Sequence, residues 1–168
     1  MPKIIEHLEL RLMEEARRQA LTGGYSAVTI RSVAEACGVG VGTVYNYYPS
    51  KDALLAAFLL QDWKVCLAHI QQIGEQAQTV QPVLYSIWKQ LHAFQTNHAG
   101  IFRAEEAAVG FGSAVGRYHS LLREQLAQPL RPFCPDDFTA QFAAEAILTW
   151  TVEGKCFEEL YSVLKKLF

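Results

Sequence analysis

The chain has no uninterrupted run of some 18 apolar residues, and its opening Met-Pro-Lys-Ile-Ile-Glu-His lacks the basic-then-apolar pattern of a secretory leader. Neither a spanning helix nor any membrane partner is expected. The four cysteines, Cys37, Cys66, Cys134 and Cys156, form no CxxC pair, and no Cys/His cluster has metal-ligand spacing. That sets aside a disulfide framework and a zinc site. It predicts reduced, mostly buried thiols in a cytoplasmic protein that holds no metal. Strand alternation and internal repeats are absent, as is any nucleophile–base motif. Gly38-Val39-Gly40-Val41-Gly42 is glycine-rich but follows no strand, so it is not read as a nucleotide loop. No cofactor is expected, and the expected class is not an enzyme.

Charge of one sign is scarce as well. The net charge is −2. Over residues 1–52, Lys3, Arg11, Arg17, Arg18, Arg31 and Lys51 stand against Glu6, Glu9, Glu14, Glu15, Glu35 and Asp52. A polyanion partner would have to be met by placed groups, because there is no basic field. Between Tyr25 and Lys51 the only acid is Glu35.

Apolar residues are abundant: 51% of the 168 residues are hydrophobic, enough for a sizeable core. Ile4, Ile5, Leu8, Leu12 and Ala16 recur at helical spacing and predict a first helix from Lys3 to Leu21, ended by Gly23-Gly24. Thr29 caps a second helix from Ile30 to about Cys37, Gly38 supplies a left-handed stop, and Val39 returns to the core. A third helix runs from about Val41 to Tyr47, Pro49 stops it, and Ser50 caps a fourth. Two short helices joined by a tight glycine-containing turn present one exposed helix to a DNA major groove.

The fourth helix carries Leu54, Leu55, Phe58, Leu59, Val65, Leu67, Ile70 and Ile73 on more than one face, as a helix buried between layers does, and ends near Gly74. Pro82 opens a fifth helix that ends near Asn97 to Gly100, and a shorter segment follows from Ile101 to about Val109. Residues 113–128 are amphipathic. Pro129, Pro132 and Pro135 make a short loop, and Pro135-Asp136-Asp137 starts a last helix, with proline at its first position, running nearly to Phe168. The fold class is all-α.

These residues spell out a family. Thr29-Ile30-Arg31-Ser32-Val33-Ala34 with Gly38-Val39, then Gly42-Thr43-Val44-Tyr45-Asn46-Tyr47-Tyr48, then Ser50-Lys51-Asp52-Ala53-Leu54, closely resembles the DNA-binding signature of TetR-family repressors over residues 8–58. The resemblance implies an N-terminal three-helix helix-turn-helix domain, residues 1–52, and a C-terminal helical regulatory and dimerisation domain, residues 53–168. It further implies a homodimer whose third helices enter successive major grooves of a palindromic, double-stranded operator. A small-molecule effector would release the DNA. The sequence departs from the family pattern at Gly40, where Ser is usual, and at Val41, where a polar residue is frequent.

Val33, Ala34, Val39, Val44 and Tyr48 are expected core. Thr29 and the amides at its helix start suit a phosphate, and Arg31 a guanine or phosphate. Apolar Val41 suits a thymine methyl. Gly42 allows close backbone approach, and Thr43 suits a phosphate or a methyl. Tyr45 and Tyr47 offer phenols to phosphates, Asn46 reads adenine, and the resemblance makes Lys51 a phosphate clamp.

In the second half Trp63, Tyr85, Trp88, Phe94, Phe102 and Phe111 are either ordinary core or the wall of an apolar or aromatic ligand pocket, with His92, Glu105 or Tyr118 as its polar handle. Phe138, Phe142, Ala146, Trp150, Gly154, Phe157, Tyr161 and Leu164 follow three- and four-residue steps, beside a second stripe of Ala143, Ile147, Phe157 and Leu160. One stripe suits the subunit's own core. The other, completed by Leu121, Leu122 and Leu126, suits a four-helix interface with a second copy. Two rival readings are a ligand-independent DNA-binding or protein-interaction dimer, and a helical enzyme.

Overall fold

The computed structural model describes residues 7–102 and 119–168. Among them all regular structure is helical: α1 (Leu8–Gly23), a 3-10 turn (Tyr25–Ala27), α2 (Ile30–Cys37), α3 (Val41–Tyr47), α4 (Lys51–Gln76), α5 (Val80–Asn97), α6 (Ala99–Phe102), α7 (described over 119–127), a second 3-10 segment (Gln128–Phe133), α8 (Asp137–Val152) and α9 (Phe157–Leu164). The described residues fall into two compact units, 7–62 with 97–102, and 63–96 with 119–168. The sequence-based division lies at residue 52. The first unit instead carries α4 as far as Asp62, because Leu54, Leu55 and Phe58 are buried in the same cluster as Leu12, Ala16, Val33 and Val44.

Local chemistry sets the helix ends of the first unit. Thr29 Oγ1 accepts from Ser32 N at 2.9 Å, and Ser32 Oγ accepts from Thr29 N at 3.1 Å, a reciprocal cap that satisfies two orphan donors. Gly38 adopts φ +69°, where a side chain would be strained, and closes α2. Ser50 Oγ accepts from Ala53 N at 3.1 Å and starts α4. Ile101, from α6, is buried in this unit's core. There the chain passes so close to the 3-10 turn that a Cβ on Gly100 would lie 3.2 Å from Gly24 Cα.

In the second unit Trp63, Ile70, Val83, Leu84, Ile87, Leu126, Leu130, Ala143, Ala144, Ile147 and Phe157 form one core. Trp63 Nε1 donates to Gln125 Oε1 at 2.8 Å, which satisfies the indole of an otherwise buried ring.

Several expectations are corrected. The expected start of the first helix, from Lys3, lies outside the described residues, within which α1 begins at Leu8. The helix α5 begins at Val80, so Pro82 lies inside its first turn, where a missing N–H is tolerated. Gly74 lies within α4, which runs on to Gln76, and its missing Cβ lets Pro129 pack against it. The three prolines do not make an open loop: residues 128–133 wind as a 3-10 helix. Asp136, and not Pro135, defines the start of α8, because its carboxylate accepts from Thr139 N at 2.7 Å. The last helix is two: Gly154 adopts φ +85° and separates α8 from α9. Cys156 is exposed, while Cys37 is buried, its thiol pushed up by desolvation. Finally, α4 is long and apolar enough by length and composition to cross a membrane, with a mean hydropathy of 1.4 over one window. A high average does not require an unbroken apolar run. Leu54, Leu55, Phe58, Trp63 and Ile70 are buried, whereas Leu60 and Val65 are exposed, so packing within the chain covers part of this helix's apolar surface and not all of it.

Candidate nucleic-acid interface

The helix α3 has two unlike faces. Val44 is fully buried and the C-cap residue Tyr48 is 6% exposed, its hydroxyl donating to Glu9 O at 3.4 Å. On the other side Val41, Gly42, Asn46, Tyr45 (51% exposed) and Tyr47 (43%) are open, and Thr43 is half-buried. Leaving two tyrosines and a valine on the surface of a seven-residue helix is costly unless something covers them. The first turns of α2 and α4 contribute the flanking groups. Thr29 and Arg31 are exposed on α2, and Lys51 is half-buried at the start of α4.

This surface is held from behind. Arg11 Nη2 donates to Cys37 O at 3.1 Å and supports the last turn of α2. Ser32 Oγ, besides its capping bond, lies 2.7 Å from Gln19 Oε1, and Gln19 Nε2 donates to Glu15 Oε1 at 2.8 Å. Arg18 grips the same carboxylate through Nη2 at 2.6 Å and Nε at 2.9 Å. These hydrogen bonds, Arg18 first and Gln19 next, hold the Glu15 carboxyl down at about 2. A chain of polar contacts therefore runs from the outer face of α1 to the cap of α2. Lys51 Nζ sits 3.6 Å above the centre of the Tyr25 ring, and Tyr25 Oη donates to Asp52 Oδ1 at 2.8 Å.

Thr29, Arg31, Val41, Gly42, Thr43, Tyr45, Asn46, Tyr47 and Lys51 all lie on α3 or at the first turns of the two helices flanking it. Sequence reasoning missed Tyr25, Gln19, Ser32 and Arg11. The Thr29–Ser32 spacing is a legible capping signal, although the usual second partner is Glu or Gln. The other three act across tertiary contacts that no local pattern marks.

The residues expected to line one ligand pocket are found in separate places. Trp63 is buried and meets Phe94 edge-on at 5.7 Å. Tyr85, Trp88 and His92 form a stacked row on α5, with Trp88 5.3 Å from His92 and Tyr85 edge-on to Phe157 at 5.0 Å. Phe102 belongs to the first unit and is half exposed. Glu105, Phe111 and Tyr118 lie outside the described residues. Of the residues expected at a dimer interface, Leu126 and Phe157 are buried in the chain's own core, which leaves them no surface for a partner. Leu122 and Ala146 are half-buried, and Trp150 and Gly154 are exposed. On α8, Phe138 (76% exposed), Phe142 and Trp150 are open to solvent, while Ala143 and Ile147 face the core.

Three short helices, the second and third joined through a left-handed glycine, with an exposed third helix between two capped helix starts, define a helix-turn-helix protein. Residues 12–58 match the model of the bacterial regulatory proteins of the tetR family. Over those residues the chain is similar to that family's DNA-binding domain. The transcriptional repressor KstR of Rhodococcus jostii is 43% identical over 54 residues, 32% of this chain and 26% of that protein. The match thus spans about a quarter of that relative's length. Among solved structures, Salmonella enterica GusR superposes with a TM-score of 0.65 at 18% identity, over 98% of this chain and 96% of that one. The TetR-family regulator CifR, a cysteine mutant complexed with a 26-bp double-strand operator, superposes with a TM-score of 0.57 at 10% identity, over 99% of this chain and 97% of that one. At these identities the likeness establishes a shared fold.

Proposed function

We propose that the chain is a cytoplasmic, one-component transcriptional regulator, and not an enzyme. It binds a palindromic operator as a homodimer, acts as a repressor, and is released by a small apolar or aromatic effector. One observation carries the DNA-binding part: α3 exposes Val41, Gly42, Tyr45, Asn46 and Tyr47 between the starts of α2 and α4 while burying Val44 in the core. Phenols and the Lys51 ammonium meet phosphates, Val41 meets a thymine methyl, and Asn46 offers adenine a bidentate partner. The repressor named KstR and the operator complex of CifR lend the same reading to this chain.

Dimerisation rests on the open row of Phe138, Phe142 and Trp150 on α8. Two half-sites then stand about 34–36 Å apart. The apolar or aromatic effector class rests on the number of aromatic side chains in the second unit, Trp63, Tyr85, Trp88 and Phe94 among them.

The deciding experiment is selection of genomic fragments by the purified protein under competition with excess random DNA. Enrichment of a palindrome, lost on Tyr45→Ala and weakened on Lys51→Ala, is expected. No enrichment by ligand-free protein overturns the reading.

A further inference from the structure

We infer that Tyr25 is a positioning residue for DNA binding: it fixes the Lys51 ammonium against the face of its ring and draws the neighbouring Asp52 carboxylate to its hydroxyl. The inference rests on the DNA-binding function proposed above. It assigns a role to a side chain that lies on none of the DNA-facing helices.

The geometry is specific. Tyr25 is 8% exposed and belongs to the core of the first unit, so its ring is a fixed platform. Lys51 Nζ lies 3.6 Å from the ring centroid, well inside the range where the ring's electron-rich face attracts a cation. The hydroxyl of the same ring donates to Asp52 Oδ1 at 2.8 Å. Lys51 and Asp52 are consecutive residues of opposite charge on the first turn of α4. Left to themselves, they would compete for the same space, and a carboxylate beside a phosphate clamp repels the phosphate. Tyr25 sorts them, with the cation over its face and the anion at its edge.

A lysine stem carries considerable rotamer freedom, and freezing it only at the moment of binding weakens the contact it makes. A ring that holds the ammonium beforehand removes part of that cost. Lys51 also stands at the N-terminal end of α4, where the helix amides favour an anion. With a net charge of −2 on the chain, each placed cation counts for more than it would on a basic surface.

The test is a double-mutant cycle on the enriched DNA fragments, with Tyr25→Leu and Lys51→Met alone and together, read as affinity and as its salt dependence. Tyr25→Leu is expected to weaken binding about three- to tenfold when Lys51 is present and negligibly when it is Met. A merely structural role for Tyr25 would give the same loss in both backgrounds, and that result overturns the inference. A DNA-free readout accompanies the cycle. The Lys51 Hε resonances are expected upfield from the ring current, and to return towards ordinary lysine positions in Tyr25→Leu. Resonances that do not move also overturn it.

Should Tyr25→Leu not fold, Tyr25→Phe is compared with pentafluorophenylalanine at position 25. The two have nearly the same shape, but the fluorinated ring reverses the potential of the face. Weaker DNA binding by the fluorinated protein is expected only where Lys51 is present, and equal binding overturns the inference. Protein that selects no DNA overturns the proposed function itself. DNA selected with equal losses in both backgrounds overturns the role of Tyr25 alone.

Discussion

His98 Nε2 lies 2.9 Å from Asp62 Oδ2, and the ring of His98 is almost fully buried. The same carboxylate oxygen accepts from Arg17 Nε at 3.0 Å. One oxygen therefore joins α1, α4 and the segment that leads into α6. The His98 ring also meets Phe58 at 6.1 Å and Phe102 at 6.3 Å. Asp62→Ala removes the carboxylate that faces a buried imidazole and should cost about 1–3 kcal/mol in urea unfolding. Arg17→Ala should cost much less, within about 1 kcal/mol, because its side chain is half in water. Equal losses would show that the buried bond is not the stronger of the two.

Glu15 sets a pH signature. Its carboxyl titrates at about 2 in the fold, against an ordinary value near 4.5, because Arg18 and Gln19 bond to the charged form. A depressed folded value contributes stability above the unfolded pKa and loses it as pH falls towards the folded one. The contribution is thus full above about pH 5 and fades between about 4.5 and 2. Solvent screening at this mostly surface site keeps it to a fraction of what the shift alone would suggest. Thermal unfolding of Glu15→Gln against the unaltered protein should show a gap at pH 7 that closes as pH approaches 2.

The cap of α2 carries a third prediction. Thr29→Ala removes the oxygen that accepts from Ser32 N and should lower stability by about 1 kcal/mol, whereas Thr29→Ser should be nearly neutral. Thr29→Ala should also weaken operator binding, since the cap fixes the helix start offered to a phosphate. Chemical unfolding and a binding titration check the two parts separately.

Gly24 and Gly100 meet backbone to backbone. A Cβ on Gly24 would lie 3.0 Å from Gly100 O, and φ there is +74°. Gly24→Ala therefore combines strain with a clash against main chain that cannot rotate away, and should cost more than about 1 kcal/mol. Gly100→Ala meets only the closeness and should cost less. The order of the two melting temperatures decides this.

The proposed dimer is checked on α8. Phe142→Glu or Trp150→Arg alters a side chain about half exposed in the single chain, so subunit stability should barely change. Sedimentation should nevertheless show monomer, and operator affinity should fall by orders of magnitude because one half-site alone is then engaged.

Much of the first unit was legible because its boundaries are set by neighbours in sequence. Thr29 sits three residues before its capping partner, Gly38 stands where a left-handed residue is needed, and Ser50 follows the proline that ends α3. Val44 and Tyr48 were assignable to the core by helical spacing. Periodicity reveals that a face is apolar but not what covers it. That is why Leu126 and Phe157, expected at a partner's surface, turned out to be buried in their own unit. Gly154 was hidden by the continuous apolar pattern on both sides of it. Partners far apart in sequence, such as Tyr25 with Lys51 or His98 with Asp62, leave no local trace.

The return of Ile101 to the first core bears on how this protein can be recombined. The helix-turn-helix unit is not a contiguous cassette: among the described residues, its last buried one, Ile101, arrives only after the chain has passed through α5. Grafting residues 12–58, or anything that stops at Asp62, onto another regulatory half would transplant a helix-turn-helix with a hole where Ile101 and the Gly24–Gly100 contact belong. A working chimera would have to carry the 97–102 segment along, or take an equivalent plug from its new host.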